Sequence, residues 1–383
     1  MRRRAALGGL LAFAGASRAR ATPYVAPPRP AVVSGVRVEM LLDGLAHPWA
    51  VAELPDGALI VTERLGRARV LRGGTSSEVS GLPTVLTGGQ AGLLDIAIHP
   101  RFAANQWIYL TLASGDASAN RTVLLRARLD GTRLVEARIV FTVSESKSGL
   151  QHFGSRLAWL PDGTLLMSIG DGGNPPVSLR GAPIREQAQN MASHLGKLLR
   201  LDEDGRPPAD NPLVSAPGAA AEIWALGLRN VQGLAWDAVR GTVWCSDHGA
   251  LGGDELNLVR GGANHGWPRV THSREYSGRE ISSERRRNGV VDPALVWTET
   301  IAPSGLAVCS GRAFTSWRGD ILAGGLVSGD IRRVTADAAG RVTGEHRIPV
   351  RARVRDVREA QDGALLVLTD EPRGRLLRLL PAD

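Results

Sequence analysis

A unit of two short apolar runs joined by a tight turn recurs along this chain, and the repeat restricts the fold more than any other feature. The unit is clearest in residues 49–63, 155–171 and 354–370. In each of these segments an Asp-Gly pair separates the two runs, and the second run is aliphatic and ends in a polar residue. Asp-Gly between apolar runs is a strong sequence signal for a β-hairpin.

Weaker copies of this unit in residues 92–112, 232–247 and 304–325 bring the number to six, spaced roughly 45 to 80 residues apart. Such repeats, built of strands and turns, predict an all-β fold, a six-bladed β-propeller. An irregular β-sandwich with chance turns is the alternative. Residues 187–201 are the one stretch that predicts a helical turn. In a propeller the loops of different blades converge on a central channel, so we expect functional residues far apart in sequence.

The first 21 residues have the layout of a secretory signal peptide. Three arginines, Arg2, Arg3 and Arg4, precede an apolar run over residues 5–16, and small residues follow at the spacing of a cleavage site. This layout predicts a periplasmic or secreted protein, by Sec or Tat export; a retained lipid-facing anchor is the alternative. Residues 22–36 are predicted to be an N-terminal lead-in and residues 37–383 the propeller.

The charge and the cysteine count exclude several classes of protein. The formal net charge is +8, and the first 21 residues hold five arginines and no acids, so the remainder carries 8 − 5 = +3. Because no basic run is interleaved with aromatic residues, we expect no nucleic-acid partner. No later segment is apolar enough to span a membrane. The two cysteines, Cys245 and Cys309, are consistent with a disulfide or with two buried thiols.

Several polar residues follow or precede the predicted strands, where a propeller would direct them towards its axis. Each of them could also be an ordinary turn or surface residue when it is considered alone. They are Gln90, His152, Asp171, Arg229, Asn230, Arg353 and Arg355.

From about residue 38 to residue 380 the chain resembles the soluble aldose sugar dehydrogenases that depend on pyrroloquinoline quinone (PQQ), the glucose/sorbosone dehydrogenase family. The resemblance covers all six units and is carried by short motifs in a fixed order. These motifs are His47-Pro48-Trp49, Gly89-Gln90-Ala91-Gly92, His152-Phe153-Gly154-Ser155-Arg156, Ile169-Gly170-Asp171, Gly227-Leu228-Arg229-Asn230, Asp254-Glu255-Leu256-Asn257, Asn264-His265-Gly266-Trp267-Pro268, Ile301-Ala302-Pro303-Ser304-Gly305 and Arg353-Val354-Arg355-Asp356.

The resemblance implies the oxidation of the C1 hydroxyl of an aldose to the lactone, with electrons passed to an external acceptor. His152 would be the general base that takes the proton of the anomeric hydroxyl. Asp171 would fix the tautomer of His152 and stabilise the imidazolium. Gln90 and Arg229 would complete the catalytic group. The PQQ contacts implied by the family are Gln90, His152, Arg229, Asn230, His248, Arg353 and Arg355.

The resemblance also implies two calcium ions. The carbonyl groups of Gly249 and Ala250 would bind the ion next to PQQ. The side chains of Asp254 and Glu255, with the carbonyl of His265, would bind a structural ion. An acidic turn is the alternative for Asp254 and Glu255.

The chain departs from the family pattern at one cofactor contact. The family usually has a lysine where this chain has Val327, and the chain holds only two lysines, Lys147 and Lys197. Arg332 or Arg333 would be the candidates to replace the missing charge. The long charged loop over residues 272–289 is expected to shape the mouth of the sugar site.

Two other functions fit the same architecture. One is a calcium-dependent, lactonase-like hydrolase in which His152 or Asp171 activates water. The other is a non-catalytic propeller that binds a carbohydrate or a protein. The three arginines, Arg229 with Arg353 and Arg355, favour a polyanionic cofactor, and therefore the dehydrogenase. The oligomeric state, monomer or homodimer, is left open.

Overall fold

The computed structural model describes residues 22–173 and 177–382. In this part of the chain, six antiparallel sheets form the blades of a β-propeller, which confirms the predicted fold class. We number the blades 1 to 6 in chain order. The proposed signal peptide, residues 1–21, lies outside the described residues.

The first three blades each contain four strands. Blade 1 consists of Pro48–Glu53, Leu59–Glu63, Arg67–Arg72 and Thr75–Glu78. Blade 2 consists of Leu93–Ile98, Trp107–Gly115, Asn120–Asp130 and Arg133–Thr142. Blade 3 consists of Leu157–Trp159, Leu165–Ile169, Lys197–Leu201 and Ile223–Leu226.

The last three blades take strands from the N-terminal segment. Blade 4 consists of Val231–Asp237, Thr242–Asp247, Asp254–Val259 and Leu295–Trp297, with Tyr24–Val25 added in parallel. Blade 5 consists of Pro303–Val308, Ile321–Gly325, Asp330–Ala336 and Val342–Pro349, with Ala31–Val32 added in parallel. Blade 6 consists of Val354–Glu359, Leu365–Thr369, Gly374–Pro381 and, as its outermost strand, Val36–Leu45.

Elements other than blade strands are short. They are the helix Phe102–Asn105, the 3-10 helices Ile184–Gln189 and Thr315–Trp317, and the two-stranded hairpin Ser178–Leu179 with Ala182–Pro183. Of the helical turn predicted over residues 187–201, only residues 187–189 belong to a 3-10 helix, residues 190–196 form turns and irregular backbone, and Lys197–Leu201 is a strand. That strand is buried along its whole length, so its apolar run lacks the alternation that separates a strand from a helix.

The Asp-Gly turns join the first two strands of three blades, as the sequence predicts. In blade 1, the Asp56 carboxylate accepts a hydrogen bond from the amide of Ala58 at 3.1 Å. Gly57 has φ +82° and open space around its Cα, so its role is the left-handed conformation itself. The turn thereby fixes the register of the hairpin.

The apolar core is divided among the contacts between neighbouring blades. Ile60 and Leu110 belong to the cluster between blades 1 and 2, while Val61 and Leu366 belong to the cluster between blades 6 and 1. Burial of these faces closes the ring, so loops from all blades meet at its axis.

Both thiols are free and buried, which decides between the two predictions for the cysteines. Cys245 lies in the second strand of blade 4, and Cys309 follows the first strand of blade 5. Within the described part of the chain, no helix is long and apolar enough to cross a membrane.

Candidate active site

A cavity of about 440 Å³ lies where loops of opposite blades approach each other. Its lining comes from blades 1, 4, 5 and 6 and from the loop before blade 2. The residues that line it are His47, Arg64, Gln90, Asn230, Gln232, His248, Ala302, Leu326, Arg353, Arg355, Asp370 and Pro372. Five sequence-predicted residues, Gln90, Asn230, His248, Arg353 and Arg355, are among them. A larger cleft of about 950 Å³ lies beside the N-terminal segment and contains none of the predicted site residues.

A buried histidine–aspartate pair lies beside this cavity. The distance from Nδ1 of His152 to Oδ1 of Asp171 is 2.6 Å. The other carboxylate oxygen of Asp171 accepts a hydrogen bond from the indole Nε1–H of Trp267 at 2.9 Å. The backbone amide of His152 donates to Oε1 of Gln90 at 2.8 Å, which links the pair to the cavity lining. In the described residues, the hydrogen bonds of His152 involve its backbone amide and Nδ1, so Nε2 is the nitrogen left to accept a proton.

The local sequence explains why His152 is held so closely. His152 has φ +51° and Gly154 has φ +64°, so the loop turns sharply. A Cβ at Gly170 would lie 2.1 Å from the carbonyl oxygen of His152. Only glycine permits this approach of the two loops, which brings Asp171 against the imidazole.

The electrostatics of the pair favour a neutral histidine next to an ionised aspartate. Burial lowers the pKa of His152, and the positive charge of Arg229 lowers it further. Burial acts to raise the pKa of Asp171, but the interactions with His152 and Arg229 outweigh it and hold the pKa below its usual range. A neutral imidazole with one nitrogen fixed by a carboxylate is suited to act as a general base.

Arg229 lies beside the pair rather than in the cavity lining. Its guanidinium donates to the carbonyl oxygens of His248 at 3.0 Å and of Gly249 at 2.7 Å. It also lies 5.4 Å from the ring centroid of Trp267. Through these contacts, Arg229 holds the loop that follows the second strand of blade 4 close to the His152 region.

The cavity is positively charged. Three arginines, Arg64, Arg353 and Arg355, line it together with a single carboxylate, Asp370. Arg355 pairs with Asp370 at 2.5 Å, and His47 lies 3.0 Å from the same carboxylate. Burial acts to raise the pKa of Asp370, but the charge of Arg355 outweighs it and the pKa is lowered strongly.

Two of these arginines have hydrogen-bond capacity to spare. The Nε atoms of Arg64 and Arg355 are buried and have no partner in the described residues. Buried donors are rarely left unpaired in folded proteins, because desolvation without a hydrogen bond is costly. An anionic ligand with carboxylate oxygens, such as PQQ, fits this donor set.

The structure does not bring the two candidates for the missing lysine to the cavity. Arg332 pairs with Asp330 at 2.9 Å, and Arg333 pairs with Asp320 at 2.6 Å. Val327, at the lysine position, is 59% exposed.

The cavity arginine that the sequence analysis missed is Arg64. A signal for it was present, since Arg64 lies seven residues after the turn glycine of its hairpin, Gly57, as Asp370 does after Gly363.

Asp254, one of the predicted calcium ligands, accepts hydrogen bonds from two neighbouring loops. The two oxygens of Asp254 accept from the amides of Gly249, Ile301 and Ala302 and from the Thr300 hydroxyl, so this carboxylate clamps loops together.

Glu255 has a pKa raised to about 8 by burial and by the charge of Asp247. The ring nitrogens of His265 are buried without a partner in the described residues. Over residues 22–173 and 177–382, no three His, Cys, Asp or Glu side chains are placed to hold one metal ion. A site made of the Asp254 and Glu255 side chains with the His265 carbonyl contains only two such side chains, so the structural calcium site stays a prediction.

Comparison with known proteins identifies the family of the chain. The sequence model of a family described as Glucose / Sorbosone dehydrogenase matches residues 45–378. The chain is 36% identical over 358 residues to the aldose sugar dehydrogenase YliI of Escherichia coli (strain K12), covering 91% of this chain and 94% of that protein.

Solved structures give the same result. The apo-form of the soluble aldose sugar dehydrogenase from Escherichia coli has a TM-score of 0.84 and 35% identity, covering 90% of this chain and 99% of that one. The PQQ-bound form of an aldose sugar dehydrogenase from Streptomyces coelicolor has a TM-score of 0.71 and 27% identity, covering 91% and 100%. The chain therefore belongs to the soluble glucose/sorbosone dehydrogenase family and is a sugar oxidoreductase.

Proposed function

We propose that this protein oxidises the C1 hydroxyl of an aldose to the lactone with PQQ as its cofactor, and passes the electrons to an external acceptor. The observation that carries the proposal is the His152–Asp171 pair, which lies beside a cavity lined by three arginines. A base alone would serve many reactions, and an arginine-lined cavity alone would serve many anions. The two together match an alcohol oxidation that uses an anionic cofactor.

In this proposal His152 accepts the proton of the anomeric hydroxyl at Nε2. Asp171 accepts the hydrogen bond from Nδ1–H, which keeps Nε2 unprotonated before the reaction and stabilises the imidazolium after it. Gln90 holds the backbone of His152 and presents its amide to the cavity. PQQ, when bound, supplies the acceptor for the hydrogen and the electron pair that leave C1.

The residues that would hold PQQ are cationic and polar residues that line the cavity. Arg64, Arg353 and Arg355 would bind its carboxylates, and Asn230 and His248 would contact its edge. Arg229 would act indirectly, by holding the carbonyl groups of His248 and Gly249 in place.

Calcium is part of the proposal: Asp254, Glu255 and the His265 carbonyl would bind a structural ion, and the ion beside PQQ would take the Gly249 and Ala250 carbonyls. These would supply two of the six to eight oxygen ligands that calcium takes, with the others from the cofactor and water. The Gly249 carbonyl would share its lone pairs with the Arg229 guanidinium.

Export to the periplasm or the medium through residues 1–21 belongs to the same proposal. An external electron acceptor would then be met outside the cytoplasm.

Reconstitution tests the proposal directly. The purified apoprotein is incubated with PQQ and calcium, and reduction of a redox dye is followed with a panel of aldoses. We expect dye reduction that requires PQQ, and formation of the lactone from the sugar. Absence of turnover together with no change in the PQQ absorption spectrum would contradict the dehydrogenase and favour the hydrolase or the non-catalytic propeller.

Two histidine variants test the assignment of the base. His152→Ala should reduce kcat by about 10²- to 10⁴-fold, the usual contribution of a general base, and leave PQQ binding nearly intact. His47→Ala is the matched control, because His47 also pairs with an aspartate but lies at the arginine cluster, with its side chain 28% exposed. A larger loss of kcat in His47→Ala than in His152→Ala would reassign the base.

A further inference from the structure

A buried lysine lies behind the His152–Asp171 pair and has no part in the chemistry described above. Lys147 is only 4% exposed. Its backbone is pinned to the start of blade 2's third strand, where it exchanges two hydrogen bonds with Asn120, of 2.8 and 2.9 Å. Its ammonium donates to Oδ1 of Asn120 and to the carbonyl oxygen of Gly149, both at 3.0 Å.

The surroundings of Lys147 are unusual for a buried cation. No carboxylate in residues 22–173 and 177–382 forms an ion pair with its ammonium, whose partners are neutral oxygens and the face of the Phe153 ring, 4.1 Å away. Burial lowers the pKa of Lys147 to about 8. A buried charge without a direct ion pair is costly to keep, and the charge of Asp171 offsets only part of the effect of burial. The position of Lys147 therefore points to a role at the nearby pair.

The side chain of Lys147 contacts the neighbours of both members of the pair. Phe153, under its ammonium, directly follows His152. A Cβ built on Gly172, which directly follows Asp171, would lie 3.2 Å from Cδ of Lys147, so the stem runs along this loop. Lys147 therefore joins the loop that carries His152 to the loop that carries Asp171.

We propose that Lys147 is a positioning residue that fixes these two loops relative to each other and, through its charge, keeps His152 in the neutral form that accepts a proton. The role of His152 as the base rests on the proposed function, whereas the contacts of Lys147 with Phe153 and with the Gly172 loop do not. A methionine would fill the same space without the charge.

The charged and titratable groups that face His152 are Asp171, Arg229, Lys147 and His248. Arg229 and Lys147 oppose protonation of His152, while Asp171 favours it. Removal of the Lys147 charge should therefore raise the pKa of His152. The effect belongs to the pH range below about 8, where Lys147 is protonated.

The test uses Lys147→Met and Lys147→Arg, with the ring nitrogens of His152 titrated by ¹⁵N NMR in the apoprotein. In Lys147→Met we expect the His152 titration to move to higher pH, and in Lys147→Arg to return towards that of the wild type. In the reconstituted enzyme, the acid limb of kcat should move in the same direction with little change in KM. Activity on that limb falls about tenfold for each pH unit of movement.

Lys197→Met is the matched control, since Lys197 is the chain's other lysine and is also buried. Its ammonium donates to the carbonyl oxygens of Gln187, Ala188 and Leu195. An unchanged His152 titration in Lys147→Met, or an equal change in Lys197→Met, would overturn the proposal.

If Lys147→Met does not fold, the wild-type chain decides the question. Its His152 ring signals should then carry a second inflection near pH 8 as Lys147 loses its proton. Absence of that inflection overturns the proposal. Because these titrations need no cofactor, they stand apart from a failure of PQQ-dependent sugar oxidation.

Discussion

At the scale of single residues, the cavity is notable for its unequal charge. Three guanidinium groups face one carboxylate, and that carboxylate, Asp370, is already paired with Arg355. Arg64 has one terminal nitrogen on the carbonyl oxygen of Gly89, while its buried Nε has no partner in the described chain. Burial lowers the pKa of Arg64, so a neighbouring anion would stabilise its charged form.

Replacement of Arg64 should therefore weaken cofactor binding. A hydrogen bond to a charged group contributes about 1.5 to 3 kcal/mol, so Arg64→Met should lower the affinity for PQQ by about 10- to 100-fold. Calorimetric titration of the apoprotein with PQQ measures this change. Arg333→Met is the control, because Arg333 pairs with Asp320 and does not line the cavity. Equal PQQ affinity in the two variants would show that Arg64 does not contact the cofactor.

At the scale of elements, the hairpins deliver side chains to the axis at regular positions. In blades 1 and 6 the residue that lines the cavity, Arg64 or Asp370, directly follows the second strand of the hairpin. In blade 3 the equivalent step is one residue longer, through Gly170 to Asp171. This extra glycine lets the Asp171 loop pass under the backbone of His152.

Two glycines of blade 3 should respond differently to the same substitution. Gly170→Ala places a methyl group against the carbonyl of His152, so the pair is displaced, and kcat should fall by about 100-fold. Gly163→Ala, in the turn of the same blade, has open space but φ +81°, and should cost about 1 to 2 kcal/mol of stability with kcat unchanged. Melting curves and steady-state rates of both variants check this. Full activity in Gly170→Ala would show that the site tolerates movement of the His152 loop.

At the scale of the whole molecule, the ring is closed by pairing of distant parts of the chain. The outermost strand of blade 6, Val36–Leu45, is paired antiparallel with Gly374–Pro381. The two parallel strands before it, Tyr24–Val25 and Ala31–Val32, only extend blades 4 and 5 outwards. The strand that closes the ring and the two strands that only extend blades 4 and 5 therefore lie in different segments of the sequence.

Truncations can separate these two contributions. Loss of residues 22–35 should leave the ring closed and lower the melting temperature by only a few degrees, since two short parallel pairs are lost. Loss of residues 22–45 should expose the edge of Gly374–Pro381 and give unfolded or aggregated protein. Thermal melting and size-exclusion chromatography distinguish the two products. Equal stability of both truncations would contradict the role of Val36–Leu45 in closure.

The sequence by itself determined the hairpins and the number of units, and the family resemblance of its motifs indicated His152 and Asp171 as candidates for the base and its partner. These features depend on local chemistry, because an Asp-Gly turn sets its own backbone conformation. The conformation of the His152 loop likewise depends on a few adjacent residues. The error over residues 187–201 has a physical reason, since a strand buried on both faces has no alternating pattern.

Only the tertiary structure decided which polar side chains share a space. His47 and Asp370 are 323 residues apart and lie 3.0 Å from each other. Arg332 and Arg333 pair away from the cavity, and the stem of Lys147 lies against Gly172, which follows Asp171. Strand twist, register and the packing of neighbouring blades set these directions. Such terms act through space between distant segments, so no local pattern in the chain records them.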